Sequence, residues 1–246
     1  WRQNRIKAIQ ANIDLTLCLF NFEDNYYKKV GHKSMHLGHP FSELYKEDYE
    51  VVVNKYNLTK NKRFISVLPG SRKSEVKNML PTFIEFIKEH SLNNKDYFYL
   101  LPVADIELLP LINQSFQDLD LPILIRKNAM KDFLSVSELS IATSGTATLE
   151  SAILECPPII CYKTNFLNYS IISRMLKIEN IGLPNLLLSK RYYQELLQKD
   201  FNKENILKSV NETKSLISES LENANTLRNM LKGTGYYEAT KLISSL

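Results

Sequence analysis

The chain has 246 residues, of which 44% are hydrophobic and 24% charged, and its formal net charge is +4 at pH 7. This length and composition fit a soluble globular protein with one large domain or two modest ones. The lysines are scattered, which favours a small anionic ligand or a membrane surface over a nucleic-acid groove. The sequence shows neither a signal segment nor an apolar run approaching the roughly 20 residues of a membrane-spanning helix.

The chain begins at Trp1 without a methionine, in a stretch that predicts a helix ending near Asn12. A helix already under way at the first residue indicates a piece of a longer protein. We therefore expect this chain to be a fragment.

Metal and redox chemistry find little support in the sequence. Cys18, Cys156 and Cys161 lie in apolar runs without CxxC spacing or neighbouring histidines. We expect free thiols in a reducing cytoplasm, with no disulfide and no zinc. His32 and His36 share a strand face by spacing but lack a third ligand, so packed or solvated side chains are expected there.

Short apolar runs alternate with amphipathic stretches along most of the chain. This alternation predicts an α/β fold with a Rossmann-like parallel sheet and flanking helices, because parallel strands need crossover connections. The predicted strands are residues 15–20, 34–38, 64–69, 97–102, 122–126, 139–143 and 158–162.

Helical spacing of apolar residues predicts the intervening and terminal helices. Two faces are formed by Val76, Leu80, Phe83 and Ile87, and by Met130, Phe133 and Leu134. From residue 202 onward the pattern is helical only, and a Gly-Thr-Gly sequence precedes the last helix. Its apolar stripe is Ile206, Leu207, Val210, Leu216, Ile217 and Leu221.

A domain boundary is predicted near the sequence GHP, because Pro40 ends a strand and a charged stretch follows. Residues 1–40 would then be the tail of one domain. Residues 41–246 would form a second domain with terminal helices.

The sequence VLPGSRKSEV at 67–76 follows a predicted strand and opens a predicted helix. Gly70 lets the backbone approach a ligand, and the amides of Ser71 and Arg72 begin a helix whose dipole favours an anion. The Arg72 guanidinium would add a charge-assisted contact to a phosphate. Taken alone, the motif fits an ordinary strand-to-helix turn with a solvated arginine equally well.

The sequence ATSGTATLE at 142–150 also follows a predicted strand, and it gathers Ser144, Gly145 and Thr146 at a second helix start. Amides there can converge on phosphate. Glu150 lies one turn beyond Thr146, where a carboxylate can accept hydrogen bonds from ribose hydroxyls. The alternative is that Ser144 caps the helix and Glu150 is a favourable first-turn acid.

Two further segments have an open interpretation. Asn185, within IGLPNLLL, could read the polar edge of a ligand, although the sequence alone favours a turn. Residues 162–177 combine apolar and basic side chains, which suits an anionic membrane surface, although a core helix is the more frequent explanation. The candidate lipid contacts are Phe166, Leu167, Ile171, Met175, Arg174 and Lys177.

Together these segments resemble the lipid-A-disaccharide synthases, bacterial inverting glycosyltransferases of the GT-B class. The resemblance is carried by VLPGSRKSEV, ATSGTATLESAILECPPIICYKTN and IGLPNLLL in that order and spacing, and by FNFEDNYYKKVGHKSMHLGHP. It covers nearly the whole chain and is weakest from about residue 202 to residue 220.

The resemblance implies a reaction of lipid A biosynthesis. Such enzymes join UDP-2,3-diacylglucosamine to 2,3-diacylglucosamine 1-phosphate (lipid X), giving the disaccharide 1-phosphate and UDP. No metal or other cofactor is implied. The proposed base lies in the family's N-terminal domain, so no catalytic residue is assigned here, and the chain alone should bind UDP weakly without turnover.

The resemblance also implies roles for matching residues. Arg72 corresponds to the arginine at the nucleotide diphosphate, Glu150 to the ribose-side acid and Asn185 to an asparagine near the nucleotide. The small-residue loop beneath the phosphates corresponds to Ser144, Gly145 and Thr146, while Gly70 and Ser71 belong to the UDP-sugar site. Residues 166–177 correspond to a hydrophobic segment implicated in membrane association, which reverses the preference for a core helix.

At the level of the whole protein, the resemblance implies that residues 1–40 end the acceptor-side domain and that residues 41–246 form the UDP-sugar-binding domain. It implies a cytoplasmic protein, peripheral on the inner membrane of a Gram-negative bacterium, with nucleic acid excluded as a partner and a homodimer left open. Two alternatives stay open: another UDP-sugar GT-B enzyme, such as a hexosamine 2-epimerase or a different glycosyltransferase, and a non-catalytic nucleotide-binding remnant.

Overall fold

The structure is a computed structural model that describes residues 4–163 and 180–245. The chain divides into two compact units. Unit 1 is Trp1–Leu44 with Asn225–Leu246, and unit 2 is Tyr45–Ala224.

Helices and strands alternate along most of the described chain. The strands are β1 Thr16–Cys18, β2 Ser34–His36, β3 Arg63–Leu68, β4 Tyr97–Val103, β5 Ile123–Lys127, β6 Leu139–Thr143, β7 Pro158–Tyr162 and β8 Glu195–Leu197. The helices are α1 Asn4–Asn12, α2 Asn21–Lys29, α3 Tyr49–Tyr56, α4 Lys73–Asn93, α5 Leu109–Phe116, α6 Met130–Val136, α7 Thr146–Ile153, α8 Leu183–Leu187, α9 Lys203–Thr213, α10 Ser220–Leu231 and α11 Gly235–Ser244.

Unit 2 is built on a six-stranded parallel sheet with the order β5-β4-β3-β6-β7-β8. From β3 the chain adds strands in one direction through β5, and it then returns to place β6 on the other side of β3. The strand order therefore reverses between β3 and β6. In open parallel sheets, ligands bind beyond the carboxyl ends of the strands at such a switch point.

Helices cover both faces of this sheet. Ile65 and Val67 of β3 pack in a core with α4, α5 and α9, whereas Phe64 belongs to a second core with α3 and α6. Alternate residues of one strand serve the two cores because successive side chains point to opposite faces of a sheet. The continuous apolar strands of the sequence are explained by this double burial.

An ion pair joins β3 and β6 at their amino ends. Arg63 begins β3, and its Nε and Nη2 atoms donate to the two carboxylate oxygens of Glu138 at 2.6 and 2.8 Å. The hydrogen bonds from Arg63 to Glu138 raise the pKa of the guanidinium. Its guanidinium carbon also lies 4.4 Å from the ring centroid of Tyr97, the first residue of β4. These contacts help to set the register of the three central strands.

In unit 1 the segment around Gly38 contacts the segment around Gly233. The amide of His39 donates to the Leu231 carbonyl at 2.9 Å, and the amide of Thr234 donates to the His36 carbonyl at 3.0 Å. A Cβ atom added to Gly233 would lie 2.2 Å from the Gly38 nitrogen, so the backbones approach too closely for any side chain. The terminal helix therefore groups with the first 44 residues, unlike the division drawn from the sequence.

The α/β fold and its predicted strands are confirmed, with small differences in their ends. Sequence reasoning missed β8, a three-residue strand too short to give a periodic signal. The predicted stripe holds at Ile206 and Val210, which are buried, but Leu221 is 55% exposed. A 3₁₀ helix at Lys214–Glu219 intervenes, and its three residues per turn rotate the stripe away from the core.

Candidate functional site

A cleft of about 630 Å³ opens in unit 2 at the carboxyl ends of β3, β4 and β6. It lies at the switch point of the sheet, between the β3–α4 loop and the β6–α7 loop. Two segments distant in sequence therefore form opposite walls of one cavity. The predicted site residues that line it are Gly70, Ser71, Arg72, Ser144, Gly145, Thr146 and Glu150.

The β3–α4 loop depends on a glycine at position 70. Gly70 has a φ of +111°, a region that L residues rarely adopt. A Cβ atom there would also lie 2.8 Å from both the Cβ and the Oε2 atoms of Glu75. Arg72 follows just before α4, and its side chain is 78% exposed.

The two amides expected to hold a phosphate are occupied by Glu75. The amides of Ser71 and Arg72 donate to Glu75 Oε2 at 3.1 and 3.3 Å, and Arg72 Nη1 donates to Glu75 Oε1 at 2.8 Å. Sequence reasoning missed this residue. Its position three residues after Arg72 is the capping-box spacing, which identifies a carboxylate that folds back onto the helix start.

The β6–α7 loop is held by backbone contacts to its neighbours. The amide of Ser144 donates to the Cys161 carbonyl at 2.8 Å, and its hydroxyl donates to the Ile181 carbonyl at 3.3 Å. The alternative in which Ser144 caps α7 is therefore wrong. Gly145 is the residue before the helix, and it is exposed together with Thr146.

Thr143, the last residue of β6, is one of the residues that line the cleft. Its hydroxyl is buried and has no hydrogen-bond partner among the described residues. Buried hydroxyls are nearly always paired in proteins, so this atom has the capacity for one more contact.

Glu150 lies on the cleft wall as a carboxylate without a partner among residues 4–163 and 180–245. It is the fifth residue of α7, so the interpretation of a first-turn acid is wrong. The side chain is partly buried, and this desolvation raises the pKa of its carboxyl above the ordinary value of 4.5. A partly dehydrated carboxylate with free acceptors is suited to hydrogen-bond donors such as ligand hydroxyls.

Asn185 does not line the cleft, unlike the other predicted site residues. It is fully buried, and its Nδ2 donates to the Tyr193 carbonyl and to Glu195 Oε1, both at 2.8 Å. Its Oδ1 accepts from the amides of Tyr192 and Tyr193 at 3.0 and 2.9 Å. These four internal hydrogen bonds use every donor and acceptor of the side-chain amide. Asn185 therefore stabilises the loop around it and has no hydrogen-bonding group left for a ligand.

Glu195 is the second member of this network and was missed by the sequence analysis. It is 5% exposed, and it accepts hydrogen bonds from the amides of Ile181 and Gly182 at 2.9 and 3.0 Å. A buried carboxylate surrounded by three donors holds the segment that reaches Ser144. In the sequence, Glu195 is a single acidic residue before two leucines, in QELL. This pattern is too weak to predict a structural role.

Other chemical sites are not indicated in the part of the chain that the structure describes. Within it, no three His, Cys, Asp or Glu side chains are grouped where they could bind a metal ion. The three cysteines are buried free thiols, and burial raises the pKa of Cys18 to about 11 and that of Cys156 to about 12. No described helix has the length and hydropathy to cross a bilayer.

The predicted lipid-contacting segment cannot be compared with this geometry. Residues 166–177 lie outside the described ranges 4–163 and 180–245. The six lipid contacts proposed from the sequence therefore stay predictions.

A solved structure shares this architecture. The Staphylococcus aureus MnaA–UDP co-structure superposes with a TM-score of 0.56 and 14% identity, over 97% of this chain and 60% of that one. At this identity the likeness shows the fold alone. With the cleft at the switch point, it defines the chain as an open parallel α/β protein of the Rossmann-like class.

Sequence comparison then gives the family. The family model described as lipid-A-disaccharide synthetase matches residues 1–240, so the chain belongs to that family. Lipid-A-disaccharide synthase 2 of Legionella pneumophila strain Philadelphia 1 is 32% identical over 216 residues, 85% of this chain and 56% of the relative. The Acinetobacter baylyi synthase is 34% identical over 218 residues, 84% of this chain and 55% of the relative. The chain thus spans about half the length of these curated relatives.

We predict that Asn185→Ala lowers the free energy of unfolding by about 2–4 kcal/mol, because it leaves two amides and the Glu195 carboxylate short of a buried partner. Urea denaturation followed by circular dichroism measures the loss. Asn211→Ala, at an exposed helical position, is the control, with an expected change within about 0.5 kcal/mol. A similarly small loss for Asn185→Ala would contradict a structural role.

We also predict that Glu150→Gln changes the free energy of unfolding by an amount that depends on pH. Since burial raises the folded pKa above 4.5, the folded state holds the proton more tightly, and stability falls as pH rises from 4.5 through the folded pKa. The variant should therefore be more stable than the original chain at pH 7 and equal to it below pH 4.5. Exposed Glu107→Gln, measured in parallel, should show no such gain.

Proposed function

We propose that this chain is the donor-binding part of a lipid-A-disaccharide synthase. The complete protein would join UDP-2,3-diacylglucosamine to 2,3-diacylglucosamine 1-phosphate and release UDP. One observation carries the proposal: Arg72, an exposed cation, and Glu150, a carboxylate without a partner among the described residues, line the same cleft at the switch point of the sheet. Membership of the family supports the identity of the reaction.

The proposed roles follow from the charges in the cleft. Breaking the bond between sugar and phosphate leaves negative charge on UDP, and the Arg72 guanidinium would stabilise that charge as it develops. Glu150 would accept hydrogen bonds from the ribose hydroxyls. The small side chains of Ser144, Gly145 and Thr146 leave room for the phosphates between these two groups.

Asn185 has a different role in this proposal from the one implied by resemblance. It would hold the segment at 181–183, which reaches the cleft through Leu183 and through the bond between Ser144 and Ile181. The base that accepts the proton of the acceptor hydroxyl would lie in the half of the relatives that this chain does not cover. We expect no turnover by the chain alone.

The nucleotide in this proposal is UDP. The fold neighbour from S. aureus was solved with UDP, which supports the choice without fixing it for this chain. A parallel sheet with a ligand cleft at its switch point accommodates many nucleotides. The preference for the uracil base is therefore tested directly.

We predict that the chain binds UDP more tightly than ADP in calorimetric titration, and that Arg72→Ala and Glu150→Ala each weaken UDP binding about tenfold or more, as expected for lost charge-assisted hydrogen bonds. Arg126→Ala removes an exposed arginine at the same end of the sheet, outside the cleft, and should change nothing. UDP affinity that is equal in all four proteins would reject this cleft as the donor site.

We further propose that the protein is peripheral on the inner membrane, with residues 166–177 as the lipid contact. The basic net charge and the apolar and basic composition of this segment support the proposal. Anionic lipids attract each basic residue near the surface by about 1 kcal/mol.

The lipid contact predicts a charge-dependent binding to vesicles. Reversing both Arg174 and Lys177 to glutamate should weaken flotation with phosphatidylglycerol vesicles about tenfold or more, with little change for neutral vesicles. Reversing the exposed Lys199 and Lys232 gives the same change of net charge as a control. Equal losses in both double variants would mean that overall charge, rather than this segment, drives binding.

A further inference from the structure

The described lining of the cleft has a net charge that is unfavourable for the ligand that the cleft is proposed to bind. Among its described lining residues, the titratable groups are Arg72, Glu75 and Glu150, which gives a formal charge of −1. A nucleoside diphosphate is itself an anion. The described lining therefore supplies no net attraction for such a ligand while both carboxylates are charged.

Glu75 occupies the donors that a phosphate would use. Two backbone amides and one guanidinium converge on its carboxylate, at distances of 2.8–3.3 Å. These donors stand at the start of α4, a helix of 21 residues whose dipole also favours an anion. The carboxylate is thus an internal anion bound in the position expected for an external one.

The loop has no room for both anions at once. Glu75 Oε2 lies so close to Gly70 that a single added carbon on Gly70 would approach it to 2.8 Å. The Glu75 side chain is only 22% exposed, so it fills the space between the loop and the helix. A phosphate that reaches the amides of Ser71 and Arg72 must displace the carboxylate.

We propose that Glu75 is an exchangeable internal anion, a positioning residue that holds Arg72 and the two amides in place while the cleft is empty and yields them to a diphosphate. This inference rests on the proposed function, since it assumes that the diphosphate binds at this loop. In this proposal Glu75 lowers the affinity of the cleft for a diphosphate, in addition to capping the start of α4. Glu75 thereby tunes how tightly the nucleotide is held.

The test uses inorganic pyrophosphate as the probe and Glu75→Gln as the variant. Glutamine keeps an oxygen that can accept from the same amides but removes the charge, and charged acceptors bind roughly twice as strongly as neutral ones. We expect pyrophosphate to bind Glu75→Gln about three- to tenfold more tightly than the original chain. Glu85→Gln makes the same change on an exposed position of the same helix and should have no effect.

A role in capping alone predicts a different result. It would give lower thermal stability and an equal or weaker affinity for pyrophosphate, because the loop would be less ordered. Equal pyrophosphate affinity in Glu75→Gln and the original chain, including no binding in either, overturns the exchange. A second measurement needs no variant: saturating pyrophosphate should shift the carboxyl carbon signal of Glu75 in the original chain, and an unmoved signal also overturns it.

Parallel titrations with UDP separate this inference from the proposed function. Specific UDP binding with an unchanged Glu75→Gln variant would reject the exchange and leave the donor site standing. Tighter pyrophosphate binding by Glu75→Gln without any preference for UDP would support the exchange and reject the nucleotide assignment.

Discussion

The hydrogen-bonded pairing of β3 with β6 is the constraint on which the cleft depends. These strands are separated in sequence by two strands and three helices, yet Ile65 pairs with Leu139 and Leu68 with Ala142. The pairing brings the ends of both strands to one edge of the sheet, so the loops that follow them face each other. At the opposite ends, the ion pair between Arg63 and Glu138 joins the same two strands.

The backbone amides of the two loops find their hydrogen-bond acceptors in different ways. The β3–α4 loop uses a charged side chain of its own helix, Glu75, whereas the β6–α7 loop uses the neighbouring strand and the segment near Ile181. That segment is in turn held by the buried pair of Asn185 and Glu195. The cleft therefore combines a wall that a ligand can rearrange with a wall that is fastened to the protein interior.

The two walls of the cleft should therefore respond differently when their hydrogen bonds are disturbed. A carboxylate held by exposed donors is exchangeable at small cost, whereas a buried carboxylate with three donors leaves uncompensated groups when it is disturbed. Substitutions in the two walls should accordingly have separate consequences, for affinity in one case and for folding in the other. Glu150, which has no partner among the described residues, lines the cleft and belongs to neither network.

The sequence by itself determined the α/β class and most strand positions, and it gave eight candidate site residues, of which seven line the cleft. It did so because buried strands and glycine-containing helix starts are local patterns, readable within ten residues. Only the tertiary structure decided that Asn185 faces Glu195 rather than the cleft and that the last helix groups with the first 44 residues. Those outcomes depend on which donors lie within about 3 Å of each acceptor, and such distances are set by packing between segments that local patterns do not relate.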